Sequence, residues 1–264
     1  MVVFKVRYLK SIDKQVKYLS DEDWQKYQCK ASERCRVYSR RNAGRKSEEL
    51  SMALYLDSAI ASEAEVVKLW GWVKGITTNP TLLSQSDTPP ETTLKKLVAL
   101  TNGPLYYQLM ASDKAGMLAE GRKAFEIIGS QTILKIPATP LGFEVVASLS
   151  PEITCSVTAI YSAAQAAVAQ EAGAKIAIAY VNRATRLLGD GIALVRDMAS
   201  VLKGSDTEIL AASIKSPEEA AASLQAGADH LTLPLAMLQA IATHEFSQKT
   251  VEEFAKGGIG LSNS

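Results

Sequence analysis

The chain has 264 residues, with 29 Lys plus Arg against 28 Asp plus Glu and a formal net charge of +1. That balance excludes a general electrostatic pull toward nucleic acid or a membrane surface. No apolar run reaches the ~20 residues that span a bilayer. The three cysteines, Cys29, Cys35 and Cys155, give no disulfide framework and fit a reducing, cytoplasmic compartment. His230 and His244 stand in no metal-spaced cluster and read as surface or element-end residues, so neither a metal nor zinc-dependent chemistry is expected.

Residues 1–51 differ in character from the rest of the chain. They carry both charge signs with a basic cluster of Arg34, Arg36, Arg40, Arg41, Arg45 and Lys46, and the acidic run Asp21-Glu22-Asp23 after Ser20 fits the start of a short helix. A transit peptide is poor in acidic residues, and this segment is not. A phosphate-binding arm is a second reading of the basic cluster. The preferred expectation is a disordered or loosely attached extension, or an over-extended start, because Met52 directly precedes the first strong strand. The expected organisation is therefore an extension over 1–51, one catalytic barrel over 52–258 and a tail over 259–264.

From Met52 the pattern is strand, turn, helix, repeated. Strands are expected over 53–57, 73–77, 104–109, 132–136, 153–157, 175–180, 208–212 and 229–233. Helices with 3–4 residue apolar spacing are expected over 112–129, 161–172, 188–203 and 217–226, among others. Ser112 before Asp113, and Ser216 before Pro217-Glu218-Glu219, read as helix starts; Gly129, Gly173, Gly204 and Gly227 read as helix ends. Eight such repeats predict a closed (β/α)8 barrel with an outer ring of helices. The competing fold, an open doubly wound sheet, is weakened in its nucleotide-binding form by the lack of a Gly-x-Gly-x-x-Gly loop after the first strand.

In a barrel, alternate strand residues point inward and the C-terminal strand ends form the site. Period two then groups Tyr55 with Asp57, Tyr106 with Gln108 and Met110, and Ile133 with Lys135. It likewise groups Thr154 with Ser156 and Thr158, Ile178 with Tyr180, and Ala211 with Ser213. Thr77, Thr78 and Asn79 stand at and just after the end of the second strand. Asp57 and Ser213 also fit helix caps, and Asn79 before Pro80 fits a turn. Their coincidence at one rim favours a site. Lys135, inside the apolar run Thr132-Ile133-Leu134-Lys135-Ile136-Pro137, is the most informative of them. Burial disfavours a charged ammonium, and a neutral amine is the form that attacks a ketone to give a Schiff base.

Gly75-Ile76-Thr77-Thr78-Asn79-Pro80-Thr81, the Leu-Lys-Ile-Pro strand, Thr158, Tyr180-Val181-Asn182-Arg183 and Ala211-Ala212-Ser213 together resemble the transaldolase family. They are most similar to its short branch, which contains the fructose-6-phosphate aldolases. The resemblance covers about residues 52–256. It implies a (β/α)8 barrel, a lysine Schiff base, a sugar phosphate substrate and no cofactor. It also implies homo-oligomeric rings, pentamers or decamers, in which the C-terminal helix packs on a neighbour. By position it implies that Lys135 is the Schiff-base lysine, Asp57 the general acid/base and Thr158 the residue that positions water. Asn79, with Thr77 and Thr78, would hold substrate hydroxyls, and Arg183, Ser213 and Lys215 would hold phosphate.

Two positions divide the branches. The resemblance implies glutamate at position 108 and phenylalanine at position 180 in transaldolases, whereas Gln108 and Tyr180 match the aldolase branch. Ile178-Ala179 departs from the small residue and proline of relatives, which leaves the preferred donor open. The expectation is a class I aldolase that cleaves fructose 6-phosphate or a similar ketose phosphate. The alternative is a transaldolase of the pentose phosphate pathway that passes dihydroxyacetone to erythrose 4-phosphate. A rival of another class is a non-catalytic sugar-phosphate binding protein on the same barrel.

Overall fold

The computed structural model describes residues 52–261; the expectations for 1–51 and for the end of the tail lie outside the described residues. Eight strands run β1 (Ala53–Asp57), β2 (Val73–Thr77), β3 (Leu105–Gln108), β4 (Thr132–Pro137), β5 (Cys155–Ile160), β6 (Ile176–Tyr180), β7 (Glu208–Ala212) and β8 (His230–Leu233). Every pairing is parallel, and β8 closes back onto β1 with Tyr55 opposite Thr232. The fold is a (β/α)8 barrel, and the closing pair rules out the open doubly wound sheet.

The outer layer comprises α1 (Ala61–Trp70), α2 (Pro80–Leu83), α3 (Pro90–Leu100), α4 (Lys114–Ile128), α5 (Pro140–Leu149) and α6 (Ala163–Glu171). It continues with α7 (Val181–Leu188), α8 (Gly191–Val201), α9 (Pro217–Gln225), α10 (Leu235–Ile241) and α11 (Glu245–Gly257). No helix among the described residues is long and apolar enough to cross a membrane.

Period two along each strand separates two cores. Leu56, Ile76, Leu134, Ile136, Val157 and Ala179 face the helices, in one large cluster with Leu97, Val145, Leu149 and Met198. Ala53, Tyr55, Tyr106, Ile133, Ile176, Ile178, Leu210 and Ala212 fill the barrel interior. At ~1.5–3 kcal/mol for each large apolar side chain fully buried, both clusters contribute substantially to stability. At the barrel floor the Tyr55 and Tyr106 rings lie edge to face, centroids 5.5 Å apart. Burial pushes both phenols above their ordinary pKa, so they plug the floor as neutral groups.

The structure moves several expected elements. The fifth strand starts at Cys155 rather than at 153, because Ile153 still donates its amide to Leu149 at the end of α5, 2.8 Å away. The helix expected over 188–203 starts later, at Gly191, and a separate helix, α7, precedes it over Val181–Leu188. Gly189 takes φ +95°, and Asp190 caps α8 by accepting from the amides of Ile192 and Ala193. The cap of α4 is Asp113, not Ser112, and accepts from Gly116 N. Ser216 caps α9 with Pro217 at the first helical position, as the sequence predicts.

The expected pairing of Ala211 with Ser213 on the inner face is reversed. Ala211 packs outward, and Leu210 and Ala212 point in. His230 starts β8 but is buried, not at the surface. Its Nδ1 accepts from Ala53 N at 3.1 Å and Nε2 faces a Glu208 carboxylate oxygen at 2.8 Å, tying β8 to β1 and β7.

Gly103 is required where the chain crosses the start of β2. A Cβ there would lie 1.6 Å from the Lys74 carbonyl oxygen. Gly103→Ala is therefore expected to destabilise the barrel by about 2–3 kcal/mol, roughly 5–10 °C in Tm. A melting temperature within about 2 °C of the parent would contradict that close approach.

Candidate active site

Three hydrogen-bonded pairs stand at the C-terminal ends of the strands. Lys135 on β4 is only 3% exposed, and its Nζ donates to the Thr78 carbonyl oxygen at 3.0 Å. Asp57 at the end of β1 accepts the Thr77 hydroxyl at 2.8 Å. Thr158 on β5 donates its hydroxyl to the Tyr180 phenol oxygen at 3.0 Å. Gln108 is half-buried on β3, directly opposite Lys135 in register.

The amine of Lys135 has an unusual setting. Among the described residues it forms no ion pair. Its hydrogen-bond partner is a neutral carbonyl. The carbonyl is itself fixed, because the amide and the hydroxyl of Thr78 both donate to the Tyr106 carbonyl oxygen, at 3.2 and 2.7 Å. β3 thus positions Thr78, and Thr78 positions Lys135.

Backbone strain falls beside two of these positions. Ala159 and Ser213 are the two non-glycine residues with positive φ among those described, at +58° and +62°. Ala159 sits in the β5–β6 register shift immediately after Thr158. Each such conformation costs roughly 1–3 kcal/mol and persists where surrounding contacts over-determine it. Ser213 comes directly after β7, and its left-handed turn takes it out of the alternation that the sequence projects onto it.

The remaining expected residues lie at the edge. The side-chain oxygen of Asn79 accepts from Leu82 N at 2.9 Å and caps α2, which leaves its amide protons for other partners. Arg183 on α7 is exposed, with its guanidinium carbon 5.2 Å from the Tyr180 ring centroid. Lys215 is exposed beyond β7. Arg183, Ser213 and Lys215 make no side-chain hydrogen bond to the three interior pairs. Among the described residues no group of three or more His, Cys, Asp or Glu converges in a way that would hold a metal ion. A buried amine, a carboxylate, a hydrogen-bonded hydroxyl pair and a cationic edge can together do covalent carbonyl chemistry with proton transfer.

Comparison with known proteins gives a concordant picture. A family model described as transaldolase/fructose-6-phosphate aldolase matches residues 54–262. A probable transaldolase of Aquifex aeolicus is 33% identical over 208 residues, covering 78% of this chain and 95% of that protein. Probable transaldolases of Hydrogenobaculum sp. (34% over 208 residues, 78% and 95%) and Kosmotoga olearia (33% over 206 residues, 77% and 94%) are similar to the same extent. Among solved structures, a mandelate oxidase variant aligns with TM-score 0.51 at 18% identity, over 80% of this chain and 73% of that one. An inosine 5′-monophosphate dehydrogenase of Legionella pneumophila aligns at 0.51 and 12% identity, over 74% and 65%. These two structures share the barrel fold alone.

Sequence reasoning passed over Thr232. It is buried on β8, and its hydroxyl lies 2.5 Å from that of Thr77. Thr77 has one hydroxyl proton, and Asp57 as a carboxylate can only accept. The direction is therefore Thr232 to Thr77 to Asp57. The signal was present, since period two in His230-Leu231-Thr232-Leu233 sets His230 and Thr232 on one face. Thr232→Val, close to the same shape, removes the donor that orients Thr77. A folded protein with kcat lowered about 10-fold is expected, given what general acid–base groups contribute. Unchanged steady-state turnover would mean that Thr77 orients Asp57 unaided.

Proposed function

This chain belongs to the transaldolase/fructose-6-phosphate aldolase family, and on that premise we propose that it is a class I aldolase. Its reaction is the reversible cleavage of fructose 6-phosphate, or a similar ketose phosphate, to dihydroxyacetone and glyceraldehyde 3-phosphate. The observation that carries the reading is the buried amine of Lys135, held on a neutral carbonyl inside the barrel mouth.

The groups in place account for each step. Lys135 Nζ adds to the substrate ketone, and the carbinolamine loses water to give an iminium. As the C3–C4 bond breaks, its electron pair moves onto the iminium nitrogen and forms an enamine. Asp57, held by Thr77, takes the proton of the C4 hydroxyl, and the aldehyde leaves. Protonation of the enamine carbon and hydrolysis by water then release dihydroxyacetone and free the amine. Thr158 donates to Tyr180, so the phenol proton of Tyr180 stays available to orient that water. Gln108 beside Lys135 contributes a neutral amide where a carboxylate would favour transfer chemistry. Arg183, Ser213 and Lys215 hold the phosphate end.

The relatives' designation as probable transaldolases supports a second reading, in which the enamine attacks erythrose 4-phosphate instead of being hydrolysed. Two measurements test these proposals. Fructose 6-phosphate alone is expected to yield glyceraldehyde 3-phosphate at a steady rate; strict dependence on erythrose 4-phosphate would establish the transferase. Borohydride with dihydroxyacetone is expected to leave a reduced adduct on Lys135, detected by mass spectrometry and abolished in Lys135→Met. An unmodified Lys135 would overturn the Schiff-base mechanism.

We further infer a homo-oligomer, of the ring type. Helix α11 has no buried residue, and Phe246, Val251 and Phe254 on it are 62%, 64% and 70% exposed. A second copy of the chain is the occupant that would bury them. Sedimentation of the full chain is expected to give a multimer, and Phe254→Glu a lighter species with the same far-ultraviolet circular dichroism. A monomeric parent protein would refute the ring.

A further inference from the structure

The cationic edge of the site is built from two separate loops, and one carboxylate joins them. Glu219 stands in the first turn of α9, half-buried. One carboxylate oxygen accepts from Lys215 N at 2.7 Å, and the other accepts from Asn182 Nδ2 at 3.3 Å. Asn182 lies between Tyr180 and Arg183, and its own amide donates to the Ser213 carbonyl oxygen at 3.2 Å. The junction of β6 and α7 is thus fastened to the loop after β7 by hydrogen bonds that meet at Glu219 and Ser213.

Two features set this apart from ordinary helix capping. In a capping box the third helical residue returns to the amide of the N-cap itself. Here the N-cap is Ser216, and its hydroxyl accepts from Glu219 N at 3.1 Å. The Glu219 carboxylate instead reaches one residue further back, to Lys215, and sideways to another loop. Its charge also points the wrong way. The N-terminus of α9 favours a carboxylate in its first turn, but one beside Arg183, Ser213 and Lys215 repels an anionic ligand.

We propose that Glu219 is a positioning residue for the phosphate group of the substrate. By fixing Asn182 and Lys215 together it sets the spacing of Arg183, Ser213 and Lys215, including the left-handed turn at Ser213. It thereby confers preference for phosphorylated over unphosphorylated aldehydes. The role rests on the aldolase reading of the site.

The test uses the full chain in the synthetic direction, with dihydroxyacetone as donor and either glyceraldehyde 3-phosphate or glyceraldehyde as acceptor. Glu219→Ala is expected to raise KM for the phosphorylated acceptor about 10-fold, the loss equivalent to one charge-assisted hydrogen bond. kcat should stay within about threefold, and KM for glyceraldehyde should not change. Asn182→Ala is expected to raise the same KM by a smaller factor, and the double variant to be no worse than Glu219→Ala alone. Glu219→Gln removes the charge and keeps the shape. A bystander carboxylate predicts a lower KM for the phosphorylated acceptor in both Glu219→Ala and Glu219→Gln, whereas the clamp predicts that glutamine largely rescues the alanine defect, because its oxygen still accepts from Lys215 N and its nitrogen can donate to Asn182 Oδ1.

Unchanged or lower KM for the phosphorylated acceptor in Glu219→Ala, or an equal rise for both acceptors, overturns the proposal. If Glu219→Ala does not fold, Asn182→Ala decides by the same criterion. Borohydride trapping of dihydroxyacetone on Lys135 in the parent protein separates the two levels. A missing adduct refutes the aldolase reading, whereas an adduct without the split between acceptors refutes the clamp alone.

Discussion

The amine of Lys135 is buried, and among the described residues no carboxylate forms an ion pair with it. Its hydrogen bond goes to a backbone carbonyl, that of Thr78, which is pinned in turn by the amide and hydroxyl of the same residue against β3. An arrangement of this kind holds the amine nitrogen in one place inside the barrel mouth. Much of the molecule is organised to keep that geometry. The floor is plugged by neutral tyrosines, β1 and β7 are latched at their start by His230, and the barrel is closed so that no strand edge is free to slide.

Around this amine stand short hydroxyl chains. Thr232, Thr77 and Asp57 form one in which counting protons fixes every donor. Thr158 and Tyr180 form another on the opposite side. Neither chain lies within one strand. The first joins β8 to β2 and β1, and the second joins β5 to β6, so each depends on the parallel register of neighbouring strands. A slip of one residue would turn every member to the other face.

The loops use carboxylates as structural ligands for backbone amides. Glu120 accepts from the amides of Met110 and Ala111 and from the Tyr107 hydroxyl, and so holds the chain just after Gln108. Burial, together with this contact, raises the pKa of Tyr107 and keeps it a donor. Glu219 does comparable work after β7. In both cases a helix beyond the strand reaches back to fix the loop that precedes it, which lets exposed mouth residues keep a defined position.

The sequence by itself determined the barrel, seven strands to within about two residues, and the face on which Asp57, Gln108, Lys135, Thr158 and Tyr180 lie. Those features depend on local alternation and on helix punctuation, which a single chain displays in order. It misplaced Ala211, whose face was read from that of Ser213, because a left-handed residue breaks the alternation and an L-serine gives no advance sign of doing so. It started α8 three residues early, although Gly189-Asp190 carries a stop and a start, and it named no helix where α7 lies. Only the tertiary structure decided that Thr78 would present its carbonyl to Lys135, that Thr232 would stand behind Thr77, and that Glu219 would bridge to Asn182. Each of these contacts joins residues 37 to 155 positions apart, and such pairings are fixed by closure of the sheet, not by any pattern along the chain.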